Sequence, residues 1–218
     1  MNSERNDIAF IIHPTILPPM ISEVASQILD VAERRFADYG YNKTTMAEIA
    51  ADCDMSVGNL YRHYDSKSAI AAASMSRFLD LKLQQGIDAA AKKFRTCEKM
   101  SAFLLARLRL SYARAVDSRH LHELVQAIDS HHSQLLFQQE QKVIDAMAAI
   151  LEAGIAAAEV APLDAQRTAY LLHQSLLRYN HPLSLKRNPL EQLEADLLDT
   201  LTLFYTGISN INRTGGQS

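Results

Sequence analysis

The chain is poor in cysteine and has no long apolar segment. Its two cysteines, Cys53 and Cys97, are far apart and lack the spacing of a metal site, so we expect both to be reduced and structural. A redox switch at Cys53 is the alternative. No stretch approaches the roughly 20 apolar residues that span a bilayer, and the first residues lack the basic start and apolar run of a secretory signal. These absences predict a cytoplasmic protein.

Excess positive charge and catalytic motifs are also missing. The 218 residues carry a formal net charge of −3, which gives no sign of a tail that binds polyanions. There is no glycine-rich phosphate loop, no nucleophile elbow and no carboxylate or histidine constellation suited to catalysis. We therefore predict that the protein is not an enzyme and needs no cofactor. Its length suits a small domain joined to a helical domain of ordinary size.

The sequence does contain the pattern of a short, well-capped helix. Thr44 or Thr45 can accept the first free amide hydrogens, and Glu48, three residues after Thr45, completes a capping box. Met46 and Ile49 lie at helical spacing and give this helix one buried side. A helix is therefore expected to begin here.

A turn and a second short helix follow. Cys53–Met55 form the predicted turn, with Asp54 at a position where a left-handed backbone is often needed, and Ser56 caps the next helix. Leu60 and Tyr64 share one face of that helix and should be core. This spacing is typical of a helix-turn-helix, whose second helix enters the major groove of DNA.

The outer face of the second helix carries groups suited to DNA. Gly58 would let a phosphate or groove wall come close, Asn59 can pair with adenine, and Arg62 can fork onto guanine. Tyr61 and His63 can donate hydrogen bonds to phosphates. The predicted DNA-contacting residues are Thr44, Thr45, Met46, Ser56, Val57, Gly58, Asn59, Tyr61, Arg62, His63 and Lys67.

A third helix is predicted upstream. Apolar residues from Ile28 to Tyr39 form a stripe along a helix of residues 22–39, which ends at Gly40. The combined pattern resembles the amino-terminal domain of the TetR family of one-component transcriptional repressors, over about residues 21–75. The matching residues are Ile28, Leu29, Ala32, Phe36, Gly40, Tyr41, Thr44, Thr45, Ile49, Ala50, Ser56, Gly58, Leu60, Tyr61, His63, Tyr64, Ser66 and Lys67.

The segment departs from the family pattern in and after the turn. Cys53 and Asp54 replace the usual small residue and glycine, and Val57 occupies a position that is often basic. Residues 21–68 carry five basic and eight acidic side chains, so this domain is not basic. Nonspecific affinity for DNA should therefore be weak and sensitive to salt. Specific binding must come from a few hydrogen bonds and from the pairing of two half-sites by a dimer.

The rest of the chain is predicted to be helical. No segment alternates with period two, so the fold class is all-α: a three-helix DNA-binding domain followed by a helical ligand-binding and dimerisation domain. The predicted domains are a partly disordered extension (1–20), the helix-turn-helix domain (21–68), the helical domain (69–212) and a flexible tail (213–218). The predicted helices of the second domain are 69–90, 98–116, 120–128, 133–158, 163–179 and 190–208.

Apolar residues cover much of the circumference of the last two predicted helices. Pairing of two subunits in a four-helix bundle would bury them, and this is similar to how TetR-type proteins dimerise. The resulting two-fold axis would place two recognition helices about 34 Å apart, in successive major grooves. The alternative is that both helices complete the core of the subunit. The predicted interface residues are Ala169, Leu172, Leu176, Leu197, Leu201 and Phe204.

Three polar residues suggest an effector site. Arg107 and Ser111 interrupt an apolar stripe, and His173 has apolar neighbours on a facing helix. We expect a mainly apolar pocket in which they orient a small organic ligand, anionic if Arg107 contacts it. The alternatives are a salt bridge or a surface-reaching stem for Arg107, and a hydrogen-bonded core position for His173.

A metal site is a further alternative for the histidines. His120, His122, His131, His132 and His173 are the candidates, with Glu123 and Asp129 as oxygen ligands. None of these histidines has the paired i, i+4 spacing of a helical zinc site, so we predict no metal.

The favoured function is that of a homodimeric repressor. Ligand binding would tilt the linking helix and lower the affinity for a pseudo-palindromic operator, because an effector acts only through unequal affinity for two arrangements. The alternative is a DNA-binding regulator without a small-molecule effector. A helical domain that lacks a cavity would favour that alternative.

Overall fold

The computed structural model describes residues 22–210, with side chains through residue 207. Every regular element in this range is a helix, which confirms the predicted all-α fold. The predicted extension and tail lie outside the described residues. The helices are α1 (Glu23–Tyr39), α2 (Met46–Asp52), α3 (Val57–Tyr61), α4 (Lys67–Ala91), α5 (Thr96–Asp117), α6 (Leu121–Ala156), α7 (Ala165–Ser175), α8 (Pro182–Arg187) and α9 (Leu190–Asn210), with a 3₁₀ turn at Leu177–Tyr179 between α7 and α8.

Local hydrogen bonds set the ends of the first helices. The Ser22 hydroxyl caps α1, and the chain leaves that helix at Gly40, whose φ of 91° favours glycine. Thr45, and not Thr44, caps α2. The Thr45 hydroxyl accepts the amide of Glu48, and the Glu48 carboxylate accepts the amide of Thr45 2.8 Å away. The capping box predicted from the sequence is therefore present.

The turn between α2 and α3 also follows the prediction. Asp54 has a φ of 54°, in the left-handed region, and the Ser56 hydroxyl accepts the Asn59 amide at the start of α3. Tyr39, which was expected at the buried end of the α1 stripe, is instead 58% exposed and lies under the guanidinium of Arg35. The core of the three helices is formed by Ile28, Leu29, Ala32, Phe36, Ile49, Ala50 and Leu60.

The long helix α4 joins the three-helix head, formed by α1, α2 and α3, to the body of the protein. It packs against α1, α5 and α6, while α5 also contacts α8 and α9, and α6 contacts α7. A methyl group at Gly86 of α4 would lie 2.8 Å from the Phe103 ring, so the glycine lets α5 pack closely. Because α4 begins at Lys67, the boundary predicted at residue 68 falls in the first turn of a continuous helix.

Helix α6 consists of two helical segments that meet at a kink. The kink is at His132, whose φ of −141° and ψ of 36° are not helical. The two helices predicted over 120–128 and 133–158 are therefore present, with the break at His132 and the first segment extending beyond residue 128. At the kink, the His132 Nε2 lies 2.6 Å from the Ser68 hydroxyl of α4, which ties the bend to the linking helix.

Helix α8 was missed in the sequence. The dipeptide His181-Pro182 was interpreted as a break, whereas Pro182 occupies the first position of a short helix, where a missing amide hydrogen costs little. The helix predicted over 163–179 is shorter, since α7 begins after the Asp164 cap and ends at Ser175. The last helix, by contrast, begins at Leu190 as predicted.

Candidate functional site

The outer face of α3 is accessible to solvent. Tyr61 is 49% exposed, Val57 is 38% exposed, and Arg62 and His63 are also exposed. No atom lies within 4 Å of the position that a Cβ of Gly58 would take. Ser56 is exposed as well, and Asn59 is partly exposed. The residues predicted to meet DNA at α3 therefore form one accessible surface.

The predicted residues before and within α2 differ in their accessibility. Thr44 is only 2% exposed, and its hydroxyl donates to the Gly40 carbonyl at 2.8 Å, so its side chain belongs to the turn after α1. Thr45 is exposed and Met46 is partly buried. The surface that faces outward therefore includes Thr45 and Met46 but not the Thr44 side chain.

Lys67 has a structural role that the sequence did not indicate. Its ammonium donates to the carbonyls of Tyr41 (2.7 Å) and Thr44 (2.8 Å) and lies 4.2 Å from the centre of the Tyr41 ring. Burial lowers the pKa of Lys67, while Glu123 and Glu48 oppose this change. An ammonium has three hydrogens, so one remains for a phosphate. Lys67 thus fixes the turn between α1 and α2 against the start of α4.

Other charges in the head also interact within it. Arg35 bridges to Asp52 at 3.0 Å and to Glu48 at 3.3 Å. Hydrogen bonds from Thr45 are the main cause of the lowered pKa of Glu48, and Arg35 adds to it. Among the described residues, no side chain bonds to the other three basic groups of this segment, which are Arg34, Lys43 and Arg62. These three remain available to phosphates or bases.

Cys53 lies at the buried edge of this head. It is 4% exposed and free, and burial raises the pKa of its thiol. A raised pKa reduces the thiolate that redox chemistry requires. The structure therefore weighs against the alternative of a redox switch at this residue.

Most residues predicted to form the dimer interface are already buried in their own subunit. Ala169 and Leu172 of α7, Leu197 and Leu201 of α9, and Leu176 after α7 are each at most 2% exposed. They can add almost no area to an interface between subunits. Their assignment to that interface stays a prediction that this burial disfavours, because an apolar stripe shows that a face is buried but not what covers it. The sixth residue, Phe204, is partly buried.

Other apolar side chains of the same helices are exposed. On α9, Leu203 is 75% exposed and Leu198 is 39% exposed; on α7, Leu171 is 51% exposed and Tyr170 is 41% exposed. Leu177, directly after α7, is 45% exposed. These five residues are called the outer α7/α9 face, and none of them is among the six predicted interface residues.

The three predicted effector residues line one cavity. Arg107, Ser111 and His173 are each 6% exposed and border a cavity of about 420 Å³ between α4, α5, α6, α7 and α8. This volume lies within the range of small-molecule sites. The remaining lining residues are Met75, Phe78, Leu79, Lys82, Arg114, Leu121, Val125, Ile128, Leu136, Gln139, Glu140, Val143, Leu177, Asn180, His181, Pro182 and Leu185.

Lys82 also lines the cavity, although it was not among the residues predicted from the sequence. It is 4% exposed, and its ammonium donates to the Asn180 Oδ1 at 2.7 Å. Burial holds its pKa well below the usual lysine value, and the charge of Arg107 lowers it further. A signal was available, because Lys82 follows Met75 and Leu79 along one face of α4.

Arg107 has no hydrogen-bonding partner for its buried Nη1. Burial lowers its pKa to about 10, and the salt bridge considered as an alternative does not occur among the described residues. His173 Nε2 lies 3.1 Å from Glu140 Oε1, and Ser111 donates its hydroxyl to the Arg107 carbonyl at 3.0 Å. Burial is the main cause of the lowered pKa of His173, with Glu140 opposing it.

The histidines do not form a metal-type cluster within residues 22–207. No three histidine, cysteine, aspartate or glutamate side chains there lie close enough to hold an ion. His131 bonds to its neighbour Ser130, and His120 lies 3.5 Å from Glu123. The candidate ligands of the sequence are thus distributed over separate contacts.

Comparison with known proteins agrees with both parts of the structure. The model of bacterial regulatory proteins of the tetR family matches residues 28–74, and the model of the tetracyclin repressor-like C-terminal domain matches residues 97–199. The chain belongs to the TetR family. It is therefore a DNA-binding transcriptional regulator, and TetR-family proteins bind DNA as dimers.

Sequence similarity to two named regulators extends over a short part of the chain. Over 55 residues the chain is 36% identical to the HTH-type transcriptional repressor KstR2 of Rhodococcus jostii, a match that covers 25% of this chain and 27% of that protein. Over 63 residues it is 30% identical to the HTH-type transcriptional regulator HbdR of an Aromatoleum species, covering 29% and 28%. The match thus spans little more than a quarter of these relatives.

Solved TetR-like structures share the whole fold. A transcriptional regulator from Cytophaga hutchinsonii has a TM-score of 0.63 at 23% identity, covering 84% of this chain and 97% of that chain. A putative TetR-family regulator from a Rhodococcus species has a TM-score of 0.65 at 18% identity, covering 84% and 98%. In the range that the structure describes, this TetR-family fold contains no helix long and apolar enough to cross a membrane.

Proposed function

We propose that this TetR-family protein is a homodimeric repressor that binds a pseudo-palindromic operator through α3 and is released by a ligand in the α4–α8 cavity. The observation that carries the proposal is the continuity of α4. Its first residue, Lys67, holds the turn before α2, and Met75, Phe78 and Lys82 of the same helix line the cavity. A ligand that displaces α4 would therefore displace the DNA-binding head.

The readout of DNA is assigned to the accessible surface of α3. Asn59 and Arg62 supply groups that match base edges, while Tyr61 and His63 supply donors for phosphates. Thr45, Met46, Ser56, Val57 and Gly58 form the rest of this surface, and Lys67 retains one hydrogen for a phosphate. Because few free cations surround this surface, most of the specific affinity must come from the base contacts of two half-sites.

The dimer is assigned to the outer α7/α9 face. Its five exposed apolar residues occupy the helices that the family uses for pairing, and their burial would remove an apolar surface from water. Phe204, which is partly buried, lies next to Leu203 at the edge of this face. A two-fold axis through the face would orient the two heads toward the same side of the DNA.

A second contact supports coupling between cavity and head. The Glu123 carboxylate of α6 accepts the Asn42 amide in the turn after α1, and its Oε2 lies 2.9 Å from the position that a Cβ of Gly40 would take. The same part of α6 supplies Leu121, Val125 and Ile128 to the cavity wall. The cavity therefore touches the head through α6 as well as through α4, which favours a ligand-controlled repressor over a regulator without an effector.

A footprint on the DNA upstream of the protein's own coding sequence tests this function. Wild-type protein is expected to protect an inverted repeat, and Arg62→Ala should lose the protection at the same concentration. Arg95→Ala, an exposed residue far from α3 along the chain, is the matched control. The absence of protection by the wild type at low salt would contradict the proposed repressor.

A further inference from the structure

The cavity contains more buried positive charge than the protein neutralises. Lys82 and Arg107 are 4% and 6% exposed, and neither forms an ion pair with a carboxylate among the described residues. Lys82 has only the neutral Asn180 amide as a partner, and the Nη1 of Arg107 has none. A buried charge without a counter-charge is costly, so these two cations call for a bound anion.

The two cations lie at the same end of the cavity. An added Cβ at Gly86, one turn after Lys82 on α4, would lie 3.1 Å from the Cδ of Arg107. The Arg107 side chain therefore packs against α4 one turn from Lys82, and its charge lowers the pKa of Lys82. His173 and Asn180 border the same end, and both can offer hydrogen-bonding groups to a ligand's head.

The other charged groups of the cavity already have partners. The Arg114 guanidinium lies 4.2 Å from the Phe78 ring centre and 3.8 Å from a Glu33 oxygen. Glu140 accepts hydrogen bonds from His173 and from Gln174. A negative ligand group is therefore drawn to Lys82 and Arg107 and not to Arg114, while Glu140 is too well satisfied to hold a cationic ligand.

The remainder of the cavity is apolar. From Lys82 the wall continues along α4 to Met75, about 10 Å away at the rise of an α-helix. Leucine, valine and isoleucine side chains of α6 and the Leu185 side chain of α8 form the opposite wall.

We infer that the ligand of this cavity is an amphipathic carboxylate, whose head binds Lys82 and Arg107 and whose unbranched apolar body lies against α4, α6 and α8. This inference rests on the proposed function and specifies the chemical class of its effector. A bidentate pairing of the carboxylate with the guanidinium would satisfy Nη1, and Lys82 would donate to the remaining lone pairs.

The test compares ligands that differ only in the charge of the head. Binding of hexanoate, decanoate and tetradecanoate, and of the matching alcohols and alkyltrimethylammonium ions, is measured by calorimetry with the full chain below the micelle concentrations. The inference predicts binding of at least one carboxylate, at least tenfold tighter than its alcohol, and no binding of the cations. Failure of all three carboxylates to bind, or equal affinity for an alcohol, would overturn it.

Two substitutions test the assignment of the head. Lys82→Met and Arg107→Met should each lower carboxylate affinity at least tenfold while leaving alcohol affinity unchanged or higher. Lys92→Met, directly after the end of α4, and Arg109→Met on α5 are the controls, since both residues lie outside the cavity. Full carboxylate affinity in the Lys82→Met and Arg107→Met double variant, with its helical circular dichroism intact, would refute the assignment.

The pH dependence of carboxylate binding provides a second readout. Burial lowers the pKa of Lys82 in the free protein, and a bound carboxylate favours the protonated ammonium, so binding takes up a proton. Affinity should therefore fall as the pH rises through that lowered pKa. The groups that face Lys82 are Arg107 of α5, Glu140 of α6 and His173 of α7. Because His173 remains titratable in the cavity, the Lys82→Met variant should lose only the part of the pH dependence that Lys82 causes.

The outcomes for this inference and for the proposed function are separable. Release of an operator duplex is measured by fluorescence anisotropy with the same ligands. Charge-selective carboxylate binding without release of DNA would sustain the ligand class and contradict the ligand-controlled repressor. Release of DNA by the alcohols alone would contradict the carboxylate class and sustain the ligand-controlled repressor.

Discussion

Replacement of Arg107 by methionine should stabilise the free protein. Methionine keeps an unbranched, flexible stem in the cavity wall and removes a guanidinium that is 6% exposed and has an unpartnered Nη1. The charge is uncompensated among the described residues, so its removal relieves a cost without breaking an ion pair. Most core substitutions destabilise a protein, which makes the predicted sign informative.

The magnitude follows from the pKa of the guanidinium. Burial lowers the pKa of Arg107 to about 10, well below the usual arginine value. At about 1.4 kcal/mol for a tenfold change in protonation, the charged form costs on the order of 3 kcal/mol in the folded protein. Because the folded-state pKa is the lower one, this cost is fully present below about pH 10 and disappears only above the unfolded-state pKa.

A favourable contact is lost at the same time. The guanidinium lies 5.3 Å from the centre of the Phe103 ring, a cation–π contact worth about 1–2 kcal/mol when desolvated. The net expectation is a gain of about 1–2 kcal/mol in the free energy of unfolding. The measurement is urea denaturation at pH 7.5, at one protomer concentration for all variants, because the stability of a dimer depends on concentration.

The control is the same substitution at Arg109. That side chain is 59% exposed and pairs with Glu194 at 2.6 Å, so Arg109→Met should lose at most about 1 kcal/mol. A loss of more than 1 kcal/mol in Arg107→Met, with an unchanged dependence on urea, would show that the guanidinium is stabilised in the folded protein. The guanidinium of Arg107 would then not be an uncompensated buried charge in the cavity.

Two further predictions concern assembly and DNA. Leu203→Glu, on the outer α7/α9 face, should give folded monomers by light scattering. Leu201→Ala should keep the dimer mass and lower the free energy of unfolding by about 2–5 kcal/mol, because Leu201 is 1% exposed in its own subunit. A Leu203→Glu variant that remains dimeric would exclude this face as the interface. In anisotropy titrations, Asn59→Ala should lower the binding free energy by about 1–3 kcal/mol for duplexes with particular base pairs, whereas Lys67→Ala should weaken binding to all duplexes alike. If Asn59→Ala also lost the same affinity on every duplex, base readout by Asn59 would be contradicted.

Local features of the head could be predicted from the sequence. The capping box of Thr45 and Glu48, the left-handed Asp54 and the Ser56 cap depend on residues within a few positions of one another. Such interactions are determined by spacing along the chain. The order of α1, α2 and α3 followed from these signals.

Features that depend on tertiary contacts could not be predicted in the same way. The stripe that includes Leu172 and Leu176 indicated a buried face, but the same stripe suits contact with the subunit core or with a second subunit. Lys67 and Lys82 were difficult for a related reason, since lysine is rarely buried and its hydrogen-bond acceptors lie far along the chain. The kink at His132 was predicted only as a break.

In the proposed function, α3 reads a specific DNA sequence as part of a two-fold dimer. Selection from a random duplex pool, followed by sequencing of the bound fraction, tests it without knowledge of the target. The account predicts enrichment of an inverted repeat with half-sites about one helical turn apart by the wild type, and no enrichment by an Asn59→Ala and Arg62→Ala double variant. A bound pool with the sequence composition of the input, at low salt and micromolar wild-type protein, would contradict it.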